Sequence, residues 1–263
     1  MIFHVLDKRV RKAFSDAAMQ YDTLTSLHKE IGRELIKKME MHDSCSKILD
    51  IGMGTGWFTH RLTNVFPEGQ IVGLDFASGM IADAQKKLGT FKIVQANANQ
   101  LPFKEGIFDI ITSNLAYQWI DNLQHAFGLC RLRLNKTGSL CLTMFGYNTF
   151  HELFTALKVC AEEKSQQGQC HVQRLADKGA VTQALIEAGF HDIRVSSERI
   201  KVRFSDMMHL IKWVKDIGAN ALPKNFYAGK DLLLRANEYY NTHFQDRLGV
   251  YATFEVIWVE AKR

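Results

Sequence analysis

Asp50, Gly52, Gly54 and Gly56 stand where an apolar run, Lys47–Ile51, gives way to a helical pattern, Gly56–Val65. Closely spaced glycines after a strand let the backbone lie against a ligand, because no Cβ holds the ligand off. The helix that follows adds free N–H groups and a positive dipole end. A dinucleotide fingerprint needs its third glycine at position 57, and that position is Trp57. Asp50 would oppose a pyrophosphate, yet it can accept hydrogen bonds from a cationic ligand. Asp75 lies 19 residues beyond Gly56 and closes the second apolar run. An acid at that place can take both hydroxyls of a ribose through its two oxygens.

These residues need a sheet edge to hold them. Short apolar runs at Lys47–Ile51, Gln70–Leu74, Phe91–Val94, Phe108–Ser113 and Ser139–Met144 read as strands covered on both faces. Amphipathic stretches at Gly56–Val65, Ser78–Leu88 and Asn122–Leu132 alternate with them. That order predicts a doubly wound parallel sheet with right-handed crossovers. Ahead of this core (45–145), the segment 1–42 is helical, with Leu24, Leu27, Ile31, Leu35 and Ile36 near helical spacing. Behind it, helices are expected at Thr149–Glu163, Lys178–Ala188, Met207–Ile217 and Asp231–Tyr240, with Gly189 at a helix C-terminus. Strands are expected at Ile193–Phe204 and Gly249–Glu260. The whole chain reads as one domain.

Composition narrows the class. The 263 residues are 46% hydrophobic and 23% charged, with three prolines, which excludes a disordered or collagen-like chain. No apolar run reaches 18 residues, so no transmembrane span is expected. The net charge of +5 is spread thinly and offers no basic tail for nucleic acid. Five cysteines without CxxC spacing fit a reducing cytoplasm better than disulfides or zinc. His125, His151 and His171 lack metal-ligand spacing, and no metal is assigned.

The pattern Asp50-x-Gly52-x-Gly54-x-Gly56 resembles motif I of class I S-adenosylmethionine-dependent methyltransferases. Asn97 and Ala98 stand where that superfamily has Asp-Ala, and Phe108–Ala116, with Asn114, resembles its motif IV. The resemblance implies a Rossmann-like α/β fold with a seven-stranded, mostly parallel sheet and an inserted antiparallel last strand. It also implies that Asp50, Gly52, Gly54, Gly56, Asp75, Asn97, Ala98 and Asn114 bind the cofactor, with the side-chain carbonyl of Asn97 meeting the adenine amino group.

Segments outside the core narrow the resemblance further. Val10–Asp22 is similar to a Phe-x-x-Ala-Ala-x-x-Tyr opening, Ser113–Trp119 to Ser-Asn-x-Ala-x-Gln-Trp, and Leu210–Asn220 to Leu-x-x-x-x-Lys-x-x-Gly-x-Asn. With the final strand Thr253–Val259, these are features of the malonyl-[acyl-carrier protein] O-methyltransferase family of biotin synthesis. The resemblance implies methylation of a free carboxylate on malonyl-phosphopantetheine carried by acyl carrier protein, in the cytoplasm. A carboxylate with a pKa near ~4 is already ionised, so no general base is expected. Tyr21, Gln118, Trp119, Arg174 and Lys215 are the candidate substrate-positioning residues, and 145–175 with 205–248 the candidate cover. Arg194, Arg199, Lys201 and Arg203 form either a solvated edge or a docking face. A free small acid or a quinone precursor is the rival acceptor, and a nicotinamide oxidoreductase is the rival from another class.

Overall fold

The computed structural model describes residues 2–39, 47–89, 91–162, 175–219 and 229–263. Two N-terminal helices, α1 (Ile2–Leu24) and α2 (Ser26–Met39), precede the alternating core. The core runs β1 (Lys47–Ile51), α3 (Trp57–Val65), β2 (Gln70–Asp75), α4 (Ser78–Leu88), β3 (Lys92–Gln95), β4 (Phe108–Asn114), α5 (Leu123–Arg133) and β5 (Leu134–Phe145). Then come α6 (His151–Glu162), α7 (Lys178–Glu187), β6 (His191–Phe204), α8 (Met207–Asp216), α9 (Lys230–His243), β7 (Gln245–Asp246) and β8 (Gly249–Lys262).

The strands lie in the order β3-β2-β1-β4-β5-β8-β6. The first five are parallel, and β8 is inserted antiparallel between β5 and β6. The expected seven strands are thus present, and the two-residue β7 adds an eighth. It pairs with β8 across the two-residue turn 247–248, and Gly249, which opens β8 opposite Asp246, has φ +107°. The reversal at β2-β1-β4 opens a crevice at the C-terminal strand edge, the usual ligand position in such sheets.

Side-chain alternation feeds two cores, one on each face of the sheet. In β8, Phe254 and Val256 join Ile31, Leu35 and Leu62 on one face. Ile257 and Val259 join Leu49, Ile111, Val181 and Leu185 on the other. Three helix starts carry side-chain caps: Asn122, Asp177 and Asp206 each accept from the backbone N–H three residues on. Gly189, with φ +86°, ends α7 in the left-handed conformation.

The N-terminal segment breaks at Thr25 instead of running as one helix. The Leu24 carbonyl accepts a hydrogen bond from Trp213 Nε1 at 2.9 Å, and Thr25 Oγ1 donates back to the Tyr21 carbonyl at 2.7 Å. Beyond the break, α1 is seated closely. A Cβ on Gly79 of α4 would stand 2.3 Å from the Ser15 carbonyl oxygen, and one on Gly218 after α8 would stand 2.8 Å from that of Ala13. Among the described residues no helix is long and apolar enough to cross a membrane.

Candidate functional site

Two cavities open where β1, β2 and β4 end, and both lie against α1. The larger spans about 940 Å³, part of it open to solvent. Its floor includes Gly52, Gly54 and Asp75, and Val10, Phe14 and Tyr21 reach it from α1. The smaller, about 430 Å³, shares Tyr21, Gly52, Gly54 and Asn114 with it and adds Asp22, His28, Lys29, Asp50 and Trp57.

The three glycines of the turn all have positive φ, but only one faces open space. A Cβ on Gly52 would lie 2.3 Å from Ala116 Cβ, and one on Gly56 would lie 2.6 Å from Leu88 Cδ1. A Cβ on Gly54 would meet nothing within 4 Å, because it would project from the turn that both cavities share. Gly52 and Gly56 serve packing of the turn; Gly54 serves the cavity. Gly56 lines neither cavity.

Asp75 is buried, with Oδ2 accepting from Gly54 N at 2.9 Å and Oδ1 from Ala77 N at 2.8 Å. Burial raises its pKa, against the pull of these N–H groups. Phe76 N–H also bonds this carboxylate, whose two oxygens offer about four lone-pair sites in all, so capacity remains for a ligand hydroxyl. Asn97 and Ala98 line the larger cavity. The Asn97 side-chain carbonyl accepts from Asn99 N at 2.9 Å, so it also holds its own turn.

Asn114 lines both cavities, but its amide is engaged at both ends. Nδ2 donates to the His28 carbonyl and Oδ1 accepts from Thr143 Oγ1, each at 2.9 Å. It ties α2 to β4 and β5. Trp119 lines the larger cavity, edge-on to Phe14 with centroids 5.4 Å apart. Gln118 lines neither cavity; its Nε2 donates to the Leu115 carbonyl at 2.7 Å, and its Oε1 is buried without a partner. Lys215 is exposed near the end of α8 and also lines neither. Arg174 lies outside the described residues.

Tyr21 bridges the two cavities. Burial, with Asp75 and Asp22 nearby, raises the pKa of its hydroxyl, so the phenol stays neutral. Asp50 stands in the smaller cavity. Its Oδ2 accepts from Thr59 Oγ1 at 2.6 Å, while Oδ1 is buried without a partner. Burial pushes this carboxyl up to about 7, against the Thr59 bond and with a further push from Asp75. A ligand cation beside Oδ1 would reverse that shift.

The sequence reading missed His28, Lys29 and Asp22. Asp22 accepts from Thr55 Oγ1 at 2.7 Å and pairs with Lys87. Burial alone would raise its pKa, but Lys87, Thr55 and Lys29 outweigh burial and lower it. Lys29 Nζ donates to the Asp22 carbonyl at 2.7 Å. Trp57 in the cavity wall carries cations around its ring: Lys29 at 5.8 Å, and Arg33 and Arg61 each at 5.4 Å. No sequence signal marked them: Tyr21, Thr25 and His28 all line the smaller cavity, but they span the helix break at Thr25, so no single helical face joins them. On the far edge, Arg203 pairs with Asp246 at 2.7 Å, Arg194 approaches Glu260 at 3.8 Å and Lys201 lies 3.8 Å from the Tyr251 ring. Three of the four basic groups suspected on β6 thus have partners there.

Comparison with known proteins agrees with this architecture. Residues 49–142 match a family described as a methyltransferase domain. The YcgJ protein from Bacillus subtilis superposes with a TM-score of 0.61 at 16% identity, covering 88% of this chain and 98% of that one. Phosphoethanolamine N-methyltransferase 2 of Haemonchus contortus, solved with S-adenosyl-L-methionine, gives a TM-score of 0.56 at 17% identity over 88% of this chain and 52% of that one. These share the fold. A malonyl-[acyl-carrier protein] O-methyltransferase of Geobacter sulfurreducens is 29% identical over 98% of this chain and its own full length. One of Gallionella capsiferriformans is 31% identical over 82% of this chain and 76% of its own. A likeness that strong, extending through the helices and strands outside the shared core, means that the chain belongs to the malonyl-[acyl-carrier protein] O-methyltransferase family.

Proposed function

We propose that this protein methylates the free carboxylate of malonyl-[acyl-carrier protein] with S-adenosylmethionine, an early step of biotin synthesis. The observation that carries the acceptor's charge is the cationic rim around Trp57, in the wall of the cavity that joins the cofactor cleft. Its residues suit an anionic acceptor presented from outside.

The chain's residues fit the cofactor. Asp75 has the position and acceptor capacity for a ribose hydroxyl, and open space beside Gly54 admits a ligand against the backbone. The unpartnered Asp50 Oδ1 suits an amino group, whose charge would hold Asp50 ionised. When bound, S-adenosylmethionine supplies an electrophilic methyl group on a sulfonium. Tyr21 offers a neutral ring and hydroxyl at the junction of the cavities, suited to facing a cation. Helix α1 covers that junction and keeps water from it. The acceptor is already ionised at neutral pH, so placement is the main demand. Gln118, Lys215 and Arg174 keep their proposed roles on the acceptor and carrier side. Among the described residues, Lys29 is the one lysine or arginine that lines either cavity.

The deciding experiment is mass spectrometry of malonyl-carrier protein after incubation with S-adenosylmethionine and the enzyme. A single methyl gained on the acyl group is expected. Turnover of a free small acid or a quinone precursor, with the carrier substrate unchanged, would replace this reading by the rival one.

A further inference from the structure

Two buried atoms of the smaller cavity's lining have no hydrogen-bond partner: Asp50 Oδ1 and His28 Nδ1. A cationic amino group accounts for the first. The second stands in a different setting. The His28 ring is walled by Tyr21 at 6.0 Å, by Phe145 at 5.6 Å and perpendicular, and by Trp213 at 6.2 Å. These walls come from α1, β5 and α8. The His28 main chain is fixed as well, since its carbonyl accepts from Asn114 Nδ2 at 2.9 Å.

A polar ring in an aromatic cage is costly unless something bonds to it. Packing alone would be served by phenylalanine or leucine. Burial lowers the imidazole pKa to about 4, so the ring is neutral at physiological pH, with one N–H and one lone pair. Of the other polar groups in the lining, Asp50 Oδ1 is left to the amino group and Asp22 is held by Thr55 and Lys87. Asn114 is bonded at both ends of its amide, Thr25 Oγ1 donates to the Tyr21 carbonyl, and Lys29 Nζ donates to the Asp22 carbonyl.

We propose that His28 contacts the methyl-accepting carboxylate directly, as a neutral hydrogen-bond donor that orients it in the smaller cavity. This rests on the carboxylate-methylating function proposed above. The division of labour is chemical. An ammonium or guanidinium in contact with the nucleophile would bind its lone pairs tightly and blunt their reactivity. A neutral N–H fixes one oxygen and leaves the other free to react. The cations then act from the rim, where they attract the substrate without gripping the reacting atoms. His28 is thus assigned to positioning by contact, and no proton leaves it.

The test compares wild type, His28→Phe and His28→Gln by steady-state methylation of malonyl-carrier protein, with S-adenosylhomocysteine affinity from calorimetry. His28→Phe keeps the aromatic packing and loses the donor; His28→Gln keeps a neutral donor and loses the ring. The Phe variant is expected to lose about ten- to a hundredfold in kcat/KM, with cofactor affinity changed by less than about twofold. The Gln variant is expected to recover most of that loss, which a purely structural role would not allow. Should His28→Phe not fold, His28→Leu replaces it with the same expectation. Wild-type kcat/KM in a folded Phe or Leu variant overturns the contact, as does a Gln variant no better than Phe. Loss of cofactor affinity in parallel with activity assigns His28 to the cofactor instead and also overturns it. A wild type inactive on malonyl-carrier protein overturns the acceptor reading, and this contact with it.

Discussion

The two cavities share one wall and are built on different principles. The larger is framed by backbone and by side chains that backbone N–H groups hold in place: Asp75 by those of Gly54 and Ala77, Asn97 by its own turn. The smaller is framed by ionisable and aromatic side chains, two of which, Asp50 and His28, each have a buried atom left unbonded. A pocket for one fixed ligand can be spelled out in a strand and a turn. A pocket that chooses among acceptors is assembled from helices that meet only in three dimensions.

The largest expected effect lies in the first cavity. Asp75→Ala removes the proposed ribose acceptors and strands the Gly54 and Ala77 N–H groups, and S-adenosylhomocysteine affinity should fall about ten- to a hundredfold. Calorimetry on the folded variant checks this; undiminished binding would detach Asp75 from the ribose.

Asp50 separates the cavities by sign. In the free protein its pKa of about 7 lies above the unfolded value of ~3.9, so the folded state holds the proton more tightly. Stability is therefore lost as pH rises from about 4 to 7, and the penalty is complete above that. Asp50→Asn should raise the Tm at pH 8 and leave it little changed at pH 4. It should also weaken cofactor binding roughly tenfold, since the amino group loses a charged acceptor. Melting curves at the two pH values, with a binding titration, test both halves. A Tm that drops at pH 8 would contradict the buried-charge account.

Gly54→Ala and Gly56→Ala contrast a glycine facing ligand space with one facing protein. Each adds a Cβ at positive φ, a backbone cost of about 1 kcal/mol. The Gly56 variant also drives that Cβ against Leu88. Its main loss should appear in Tm, while the Gly54 variant should lose chiefly cofactor affinity. Equal losses of both kinds in both variants would erase the distinction.

The smallest effect belongs to the rim. Arg33→Ala with Arg61→Ala should raise KM for the carrier substrate about two- to fivefold at low salt and have little effect at high salt. Exposed charges are screened over roughly 8 Å at physiological ionic strength. A salt-independent change would place these arginines in direct contact with the substrate.

The parallel core was legible because each strand is a short apolar run between turn residues, and the predicted bounds of β1, β2 and β4 hold to within a residue. Asp50, Asp75 and the glycines were legible because their roles are local. The break at Thr25 was not, since it depends on Trp213, 189 residues from its acceptor Leu24. His28 was not, because a histidine on an amphipathic helix shows no sign of which face will be left unbonded. The sequence also leads one to expect the site's cover in 145–175 and 205–248. Among the described residues α1 lines both cavities, and α8 packs against α1.

The seating of α1 has a consequence for biogenesis. Trp213, which bonds the end of this helix, follows its acceptor Leu24 by 189 residues. At ~5–20 residues per second that interval is roughly 10–40 s. During it α1 can lie against α4, whose Met80 packs on Ala18 together with Ala77, while the seat that α8 provides is still missing. The sheet is completed later still, because β8 threads between β5 and β6 only after both have emerged. The helix that lines both cavities is therefore locked in place only once α8 has been made, so the binding site forms late in the order of its own elements.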